Sequence, residues 1–224
     1  MTDFILHGIP GSPYVRAVAL ALEEKGLEWR LAAVQMGAHR APDYRAIHPF
    51  HKIPTLDHGD FRLYETPAIL RYLDRMADAP ALVPGDARAA ARMDQLISIT
   101  GCYVAPRISG ALSFPRRVAP MFGIPVDEGA IAATIEPAGE TLDEIARLLG
   151  DQPFLAGDAI TLADLMLAPH ISFLPDFEEG RQIMAPHANL AAWIARVETR
   201  PSMAATSWER LNAIAAEQWE VVAA

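Results

Sequence analysis

The sequence predicts an α/β domain followed by an all-helical domain. The first 78 residues alternate short apolar runs with segments of helical period. A segment rich in Pro and Gly covers 79–85, and from 86 onward almost every residue belongs to a helical pattern rich in Ala, Leu and Ile. Because apolar period and breaker residues are the main local signals of secondary structure, we predict the α/β domain over 1–78, a linker over 79–85 and the helical domain over 86–224.

The first strand and the first helix are predicted from a short stretch near the start of the chain. Phe4–His7 form an apolar run that stops at the breaker loop 8–11. Ser12 and Pro13 then open a helical pattern that continues to Gly26. Ser is a favoured N-cap, Pro suits the first helical position and Gly is a common stop, so the three signals agree on one helix.

The rest of the α/β half is predicted as a strand, a short helix, a hairpin and a helix. Glu28–Val34 has the composition of a strand, and Pro42–Ile47 is compatible with a short helix. Two apolar runs within 53–64 flank a polar turn, which is typical of a β-hairpin. Thr66 and Pro67 repeat the cap-plus-proline signal and open another helix.

The second half is predicted to be helical throughout. Pro120 and Pro125 mark the end of its first helix, and Pro186 precedes its fourth. Thr161 and Asp164 have the spacing of a capping box, with Asp in place of the usual Glu. The predicted helices cover 86–112, 127–149, 161–174, 187–199 and the residues from about 201 onward.

Composition and charge argue against several classes of protein. The chain has 224 residues, of which 51% are hydrophobic and 21% charged, and its formal net charge is −9. It has no cluster of Lys and Arg, so we expect no nucleic-acid partner, because phosphate binding depends on clustered cations. No run approaches the roughly 18 apolar residues of a membrane span. We therefore expect a protein with no membrane segment, in which any positive site is local.

Cysteine and histidine usage points to a reducing compartment and to no metal site. The chain has one cysteine, Cys102, so neither a disulfide framework nor a cysteine-rich metal site can be built. The first residues include an acid and no long apolar run, so we expect no signal peptide and a cytoplasmic location. Four histidines crowd one region without the helical His-x₃-His pair or the Cys partner of a common metal site, namely His39, His48, His51 and His58.

Five local motifs, in order, resemble the cytosolic glutathione transferase superfamily over nearly the whole chain. They are GIPGSPYVR (8–16) with EKG (24–26), HPFHKIPTL (48–56), LYETPAI (63–69), GDAITLAD (157–164) and the stretch from Trp193 to Pro201. The resemblance is to the serine-type members, phi-like, theta-like or a related bacterial class. It implies a thioredoxin-like N-terminal domain, a C-terminal helical-bundle domain and glutathione as co-substrate, with no metal cofactor.

Ser12 is the catalytic hydroxyl that the resemblance implies, although a serine before a proline is also an ordinary helix cap. A free thiol has a pKa of about 8.5, and lowering it by about two units requires roughly 2.7 kcal/mol. A helix N-terminus supplies about 0.3–1 kcal/mol, and a hydrogen bond to a charged group supplies about 1.5–3 kcal/mol. The two together suffice without a further catalytic base.

The loop around Ser12 resembles the Cys-Pro-Tyr-Cys loop of glutaredoxins without either sulfur. Its residues Ser12 to Val15 contain no thiol, so mixed-disulfide exchange has no protein nucleophile. This argues against the cysteine-based classes of the superfamily and favours conjugation. Tyr14 is a competing hydroxyl donor or a packing residue, and the sequence leaves both interpretations open.

The second and third motifs imply the residues that hold glutathione. Ile53-Pro54 resembles the cis-proline turn of the thioredoxin fold, where the backbone of Ile53 would pair with the cysteinyl part of the ligand. Lys52 would face the glycyl carboxylate, with His51 as a further donor, although both residues also fit an exposed loop. Glu65 and Thr66 would hold the γ-glutamyl group, and Thr66 also fits a plain helix cap.

The second substrate would meet the helical half. Tyr103, Arg107 and Phe114 fall on the long helix that lines the electrophile pocket in the superfamily, and Tyr14 would face it from the first domain. Ordinary helical packing is the alternative for each of them. Since apolar residues carry little chemical information, the sequence does not identify the electrophile.

The sequence thus predicts a glutathione transferase in which the ligand's own thiolate attacks a small hydrophobic electrophile. Members of the superfamily are generally dimers, so we expect a homodimer whose interface includes the second and third motifs and the helix near 86–112. Two alternatives stay open. The first is other glutathione-dependent chemistry, such as peroxidase, isomerase, dehalogenase or ether-cleaving activity. The second is a non-enzymatic binding or regulatory protein.

Overall fold

The computed structural model of the protein describes residues 4–78 and 80–223. The described residues form two compact units. The first unit contains the residues up to Leu82 together with those from Thr199 onward, and the second contains Val83–Glu198.

A mixed four-stranded sheet is the centre of the first unit. Its strands are β1 (Phe4–Gly8), β2 (Trp29–Ala33), β3 (Thr55–His58) and β4 (Phe61–Tyr64). Their order in the sheet is β2-β1-β3-β4, with β1 and β2 parallel and the other pairs antiparallel. This sheet confirms the predicted thioredoxin-like domain, and it leaves β2 and β4 at the two edges.

Two helices complete the core of the first unit up to Leu82. Helix α1 (Pro13–Glu24) is buried continuously from Val15 to Leu22, so it has no solvent face over two turns. Helix α2 (Thr66–Asp74) is amphipathic, and its buried side contains Ile69, Leu70 and Leu73. The predicted short helix near 42–47 is a 3₁₀ turn over Pro42–Ala46, preceded by another over Ala38–Arg40.

The second unit begins with a long helical stretch that changes type part-way. Helix α3 covers Ala87–Ile99, and the chain then continues with π-type hydrogen bonding over Thr100–Val118. The prediction of one regular helix over 86–112 is therefore wrong in type and extent. Pro106 and Pro115 lie within the π-type segment. Because proline has no N–H to donate, neither position can complete a regular α-helical ladder.

Among the described residues, the second unit contains four further α-helices. They are α4 (Glu128–Leu149), α5 (Leu162–Ile171), α6 (Glu178–Met184) and α7 (Ala188–Glu198). Helix α5 packs against α3, the π-type segment and α7. The sequence of α5 has no polar face, and accordingly all ten of its residues are buried. The predicted helix over 161–174 is too long at its end, and α6 is not among the predicted helices.

The capping box at the start of α5 is confirmed. The Asp164 carboxylate accepts the Thr161 N–H at 2.7 Å and the Thr161 hydroxyl at 2.8 Å. The same carboxylate also accepts the Leu155 N–H at 2.9 Å and the Trp193 indole N–H at 2.7 Å. Asp164 therefore ties the start of α5 to the preceding loop and to α7.

The C-terminal residues pack with the first unit. They form α8 (Pro201–Ala205) and α9 (Trp208–Ala223), which the turn at Thr206 and Ser207 separates. The sequence analysis placed them in the helical domain as one helix, whereas the structure groups the residues from Thr199 onward with the sheet. No helix within the described residues is long and apolar enough to cross a membrane.

Candidate functional site

The strand register brings three loops to one end of the sheet in the first unit. His7 pairs with Thr55 across β1 and β3, and Thr55 pairs with Tyr64 across β3 and β4. The loop after β1, the residues before β3 and the residue after β4 therefore meet at the same end of the strands. The predicted site residues lie in these three places: Ser12 in the first, 51–54 in the second, and Glu65 with Thr66 in the third.

Ser12 is the N-cap of α1 by its backbone, with Pro13 at the first helical position. Its C=O accepts the Arg16 N–H at 2.9 Å, which begins the helix, and its own N–H donates to Ile9 O at 3.1 Å. Among the described residues, no first-turn N–H donates to its hydroxyl. The side chain is therefore not used as a helix cap, and it lies beside the positive end of the helix dipole.

Glu65 and Thr66 lie at the start of α2, which begins one residue earlier than the sequence indicated. Glu65 is the N-cap and Thr66 is the first helical residue, so the interpretation of Thr66 as the cap is wrong. Glu65 is exposed and has φ 72°, a left-handed conformation that non-glycine residues rarely adopt. Such strain concentrates at sites that bind ligands.

His48 organises the turn that carries His51 and Lys52. Its imidazole is buried, and its Nδ1 accepts the Phe50 N–H at 3.2 Å. The His51 N–H donates to His48 O at 3.0 Å, and His51 adopts φ 54°. Lys52 follows as an exposed residue, and the Ile53-Pro54 peptide bond is cis. The sequence analysis noted His48 without a role, because a histidine before proline carries no sign of its burial.

Three of the predicted site residues, Glu65, His51 and Lys52, influence the pKa of the buried His48 imidazole. Burial lowers the pKa of His48 from its ordinary value, and the nearby Glu65 carboxylate opposes that shift. The positive charges of His51 and Lys52 lower the same pKa further. The geometry agrees, because His51 and Lys52 belong to the turn that begins at His48, and the His48 ring contacts the ring of Tyr64, which directly precedes Glu65.

Arg40 adds a cation to this side of the site and His39 adds a buried imidazole nitrogen, and the sequence analysis assigned neither of them to it. The Nδ1–H of His51 donates to His39 O at 3.2 Å. Burial lowers the pKa of His39, and the charges of Arg40, Lys52 and His51 lower it further. Nδ1 of His39 is itself buried and makes no hydrogen bond within the described part of the chain. A cluster of cations around an unused imidazole nitrogen suits a carboxylate ligand.

The residues predicted for the second substrate are divided between the two units. Tyr14 is half-buried in the first turn of α1. Tyr103 and Phe114 lie on the π-type segment and are 49% and 36% exposed. The guanidinium of Arg107 donates to Pro137 O at 3.2 Å and to the Thr141 hydroxyl at 3.0 Å, and its carbon lies 5.3 Å from the Tyr103 ring centre. Arg107 therefore joins the π-type segment to α4.

The described residues contain no group of three or more His, Cys, Asp or Glu side chains placed to hold a metal ion. The four clustered histidines have other environments. His48 is buried against Tyr64 with 4.8 Å between ring centres, and Nδ1 of His58 lies 2.6 Å from the Tyr72 hydroxyl. His51 donates to His39 O, and both lie on the side of the site that carries Lys52 and Arg40.

Comparison with known proteins matches both halves of the chain. The family model described as the glutathione S-transferase N-terminal domain matches residues 6–81, and the one for the C-terminal domain matches residues 128–196. A glutathione S-transferase of Hyoscyamus muticus is 31% identical over 88% of this chain and 94% of its own length. Glutathione S-transferase 3 of Zea mays is 32% identical over 92% of this chain and 94% of its own length.

Solved structures agree with these matches. The crystal structure of glutathione transferase F2 from Populus trichocarpa superposes with a TM-score of 0.81 at 30% identity, covering 92% of this chain and 98% of its own. The resemblance to serine-type transferases is thereby confirmed, since the matched plant proteins are of the phi class. The chain belongs to the glutathione S-transferase family.

Proposed function

We propose that this protein is a glutathione transferase that binds glutathione in its first unit, where the Ser12 hydroxyl hydrogen-bonds to the thiolate. The observation that carries the proposal is the Ser12 side chain. It stands at the positive end of α1, and within the described residues it does not cap that helix. Ser12 also lies at the same end of the strands as the charged residues that suit the two ends of glutathione.

The γ-glutamyl end of the ligand suits the start of α2. Its α-ammonium would pair with the Glu65 carboxylate, which is exposed beside the helix. Its α-carboxylate would accept hydrogen bonds from Thr66 and from N–H groups of the first turn, where the helix dipole favours negative charge. The strained backbone of Glu65 supports this assignment, because among the described contacts its carboxylate makes no capping hydrogen bond and is left for the ligand.

The glycyl end suits the positive cluster on the other side of the site. Lys52 and His51 are the predicted partners of its carboxylate, and we add His39 and Arg40 on the strength of their position. The buried Nδ1 of His39 is available as a donor in one tautomer. The backbone of Ile53, immediately before β3, lies between the two ends and would pair with the cysteinyl residue.

The chemistry uses the ligand's sulfur as nucleophile. Binding near Ser12 favours the thiolate over the thiol, and the released proton passes to solvent. The thiolate then forms a carbon–sulfur bond with the electrophile, and on a halogenated arene the carbon–halogen bond breaks and halide departs. The protein contributes proximity and a larger thiolate fraction at neutral pH. The names of the plant relatives support this reaction.

We further propose that the protein is a cytoplasmic homodimer. Phe50 projects from the turn at His48 and is 65% exposed, although its ring contacts those of His48 and Tyr64. A large, ordered and exposed aromatic side chain in the second motif suits burial by a second copy. The exposed thiol of Cys102 fits a reducing compartment.

Titration calorimetry and a conjugation assay test the proposed function. The purified protein should bind glutathione at micromolar to millimolar concentration and should conjugate it to 1-chloro-2,4-dinitrobenzene. The matched ligand control is S-methylglutathione, which should bind but not react. Absence of glutathione binding at millimolar ligand would contradict the proposal.

A further inference from the structure

The C-terminal segment (199–223) follows α1 in the reverse direction. At its beginning, Nε of Arg200 donates to the Glu24 carboxylate at 2.6 Å, and the Ser202 hydroxyl donates to the same carboxylate at 2.5 Å. Glu24 is the last residue of α1. The segment therefore starts at the end of α1 that is remote from Ser12.

The next two contacts move step by step toward the start of α1. The guanidinium of Arg16, in the first half of the helix, donates to Met203 O at 3.2 Å. Trp208, the first residue of α9, reaches Gly11. As the residue number rises from 200 to 208 along the segment, its partners fall from Glu24 to Gly11. This first part of the segment therefore accompanies α1 from its last residue to the turn before its N-terminus.

The contact between Trp208 and Gly11 is very close. A Cβ built on Gly11 would lie 2.0 Å from Cζ3 of Trp208 and 2.4 Å from its Cε3. Gly11 also has φ +83°, which side-chain-bearing residues rarely adopt. The indole ring therefore occupies the space next to the glycine backbone, directly before Ser12 in the chain.

The other end of α9 is fixed as well. The Gln218 side chain accepts the Ala33 N–H at 3.0 Å and donates to Leu31 O. These two backbone groups lie on the outer side of β2, which is an edge strand. The side-chain amide thus pairs with the open edge as a neighbouring strand would. With α9 held at Gln218, the position of Trp208 over Gly11 is determined by the sheet.

We infer that Trp208 is a positioning residue, which holds the Gly11–Ser12 turn so that the Ser12 hydroxyl points at the glutathione sulfur. The inference rests on the proposed function. The strength of a hydrogen bond falls steeply as its distance and angle depart from the optimum. A turn that lost its indole contact would retain Ser12 but would present the hydroxyl in a wider range of positions, so the thiolate would be less stabilised.

The test compares Trp208→Ala with wild type by the pH dependence of the bound thiol. We expect the thiol pKa in the glutathione complex to rise by about one unit in Trp208→Ala, which lowers kcat/KM at pH 6.5 about fivefold. At a pH above both thiol pKa values, kcat/KM should return toward the wild-type value. The calorimetric Kd for glutathione should change less than threefold. A general loss of structure would not shift the pH profile in this way.

Two further variants serve as controls. Trp208→Phe keeps an aromatic ring over Gly11 and should restore most of the wild-type thiol pKa. Trp29→Leu removes another half-buried indole of the same unit, one that donates to the Glu23 carboxylate at 2.7 Å, and should leave the thiol pKa unchanged. If Trp208→Ala does not fold, Trp208→Leu takes its place, and the thiol pKa in its glutathione complex should also rise.

The outcomes separate this inference from the proposed function. A wild-type protein that neither binds glutathione nor lowers its thiol pKa overturns the proposed function. A wild-type protein that does both, with an unchanged thiol pKa in Trp208→Ala or Trp208→Leu, overturns the role of Trp208 alone. An equal rise of the thiol pKa in Trp208→Ala and Trp208→Phe also overturns the role of Trp208, since the aromatic contact with Gly11 would then not be the cause.

Discussion

Glu65 keeps an unfavourable backbone conformation at the place where the ligand's ammonium is expected. A left-handed non-glycine residue of this kind costs roughly 1–3 kcal/mol. Glycine adopts φ 72° without that cost, so Glu65→Gly should stabilise the fold by about 1 kcal/mol. The same change removes the carboxylate, and the affinity for glutathione should fall at least tenfold. Thermal unfolding and titration calorimetry measure the two effects.

Glu65→Gln is the matched control, because it removes the charge and keeps the strained backbone. It should weaken glutathione binding without raising the stability. If Glu65→Gly proves less stable than wild type, the left-handed conformation is not a source of strain, and the assignment of Glu65 to the ligand loses its support.

Single residues also mark the limit of prediction from the sequence. Ser12, Lys52 and Glu65 were selected because their motifs are local and contiguous. His39 was recognised as a histidine and not as part of the positive cluster, since its partners Lys52 and His51 are more than ten positions away. Only the folded loop brings the three together.

At the scale of single elements, the start of α5 depends on one buried carboxylate. Asp164 accepts hydrogen bonds from Thr161, Leu155 and Trp193. Burial raises the pKa of Asp164, and these donors oppose the shift. Asp164→Ala leaves four donors of these three residues without a partner, since Thr161 donates through both its N–H and its hydroxyl. At about 1–3 kcal/mol each, we expect a loss of at least about 4 kcal/mol in the free energy of unfolding.

Chemical denaturation of Asp164→Ala measures this loss, with Glu144→Ala as the comparison. Glu144 is an exposed carboxylate on α4 that pairs with Arg147. Its removal should change the free energy of unfolding far less than the removal of Asp164 does, because exposed ion pairs contribute little to stability. Equal effects of the two variants would mean that the Asp164 network does not stabilise α5.

Elements whose ends are marked by capping residues, proline or glycine were predicted well, and elements without such start and stop residues were not. Helix α1 is marked by Ser12, Pro13 and Gly26, and its bounds agree with the prediction. The π-type segment over Thr100–Val118 has prolines within it and an apolar spacing that also fits an α-helix. Since periodicity does not report the hydrogen-bond type, the change at Thr100 was not predictable.

At the scale of the whole molecule, the ion pair between α1 and the C-terminal segment should make stability depend on acid. Burial alone would raise the pKa of Glu24, but the hydrogen bonds from Arg200 and Ser202 outweigh it, and the pKa is lowered from 4.5. A lowered carboxyl pKa contributes stability that is complete above pH 4.5 and is lost as the pH falls through the lower, folded-state value.

Urea unfolding at pH 7 and at several pH values below 4.5 tests this dependence. Glu24→Gln should be less stable than wild type at pH 7, and the difference should shrink as the pH is lowered. Arg200→Gln should show a similar decrease, because it removes the principal cation. A difference between Glu24→Gln and wild type that stays constant with pH would contradict the role of this ion pair.

The proposed dimer depends on the exposed ring of Phe50. Phe50→Ser should convert the protein to a monomer in size-exclusion chromatography with light scattering, because an exposed aromatic side chain of this size is a strong candidate for an interface anchor. Phe61→Ser is the comparison, since Phe61 is 47% exposed on the edge strand β4 outside the second motif. A monomeric wild type, or a dimeric Phe50→Ser, would contradict the proposal.

The grouping of the two units was only partly foreseen. The Pro/Gly segment over 79–85 predicted a change from sheet to helices, and the structure divides the chain between Leu82 and Val83. The C-terminal helices have the same period and composition as the others. Their association with the first unit depends on contacts such as Gln218 with β2, which a local pattern does not encode.

Ultraviolet titration of the thiolate in the glutathione complex of Ser12→Ala measures what the Ser12 hydroxyl contributes to the thiol pKa. Wild type should lower the pKa of the bound thiol by about two units from about 8.5. Ser12→Ala should reverse at least one unit of that shift while its Kd stays within threefold, and Ser98→Ala, which removes an exposed helix hydroxyl, should not. An unchanged thiol pKa in Ser12→Ala, with a raised one in Tyr14→Phe, would contradict the account and transfer the role to Tyr14.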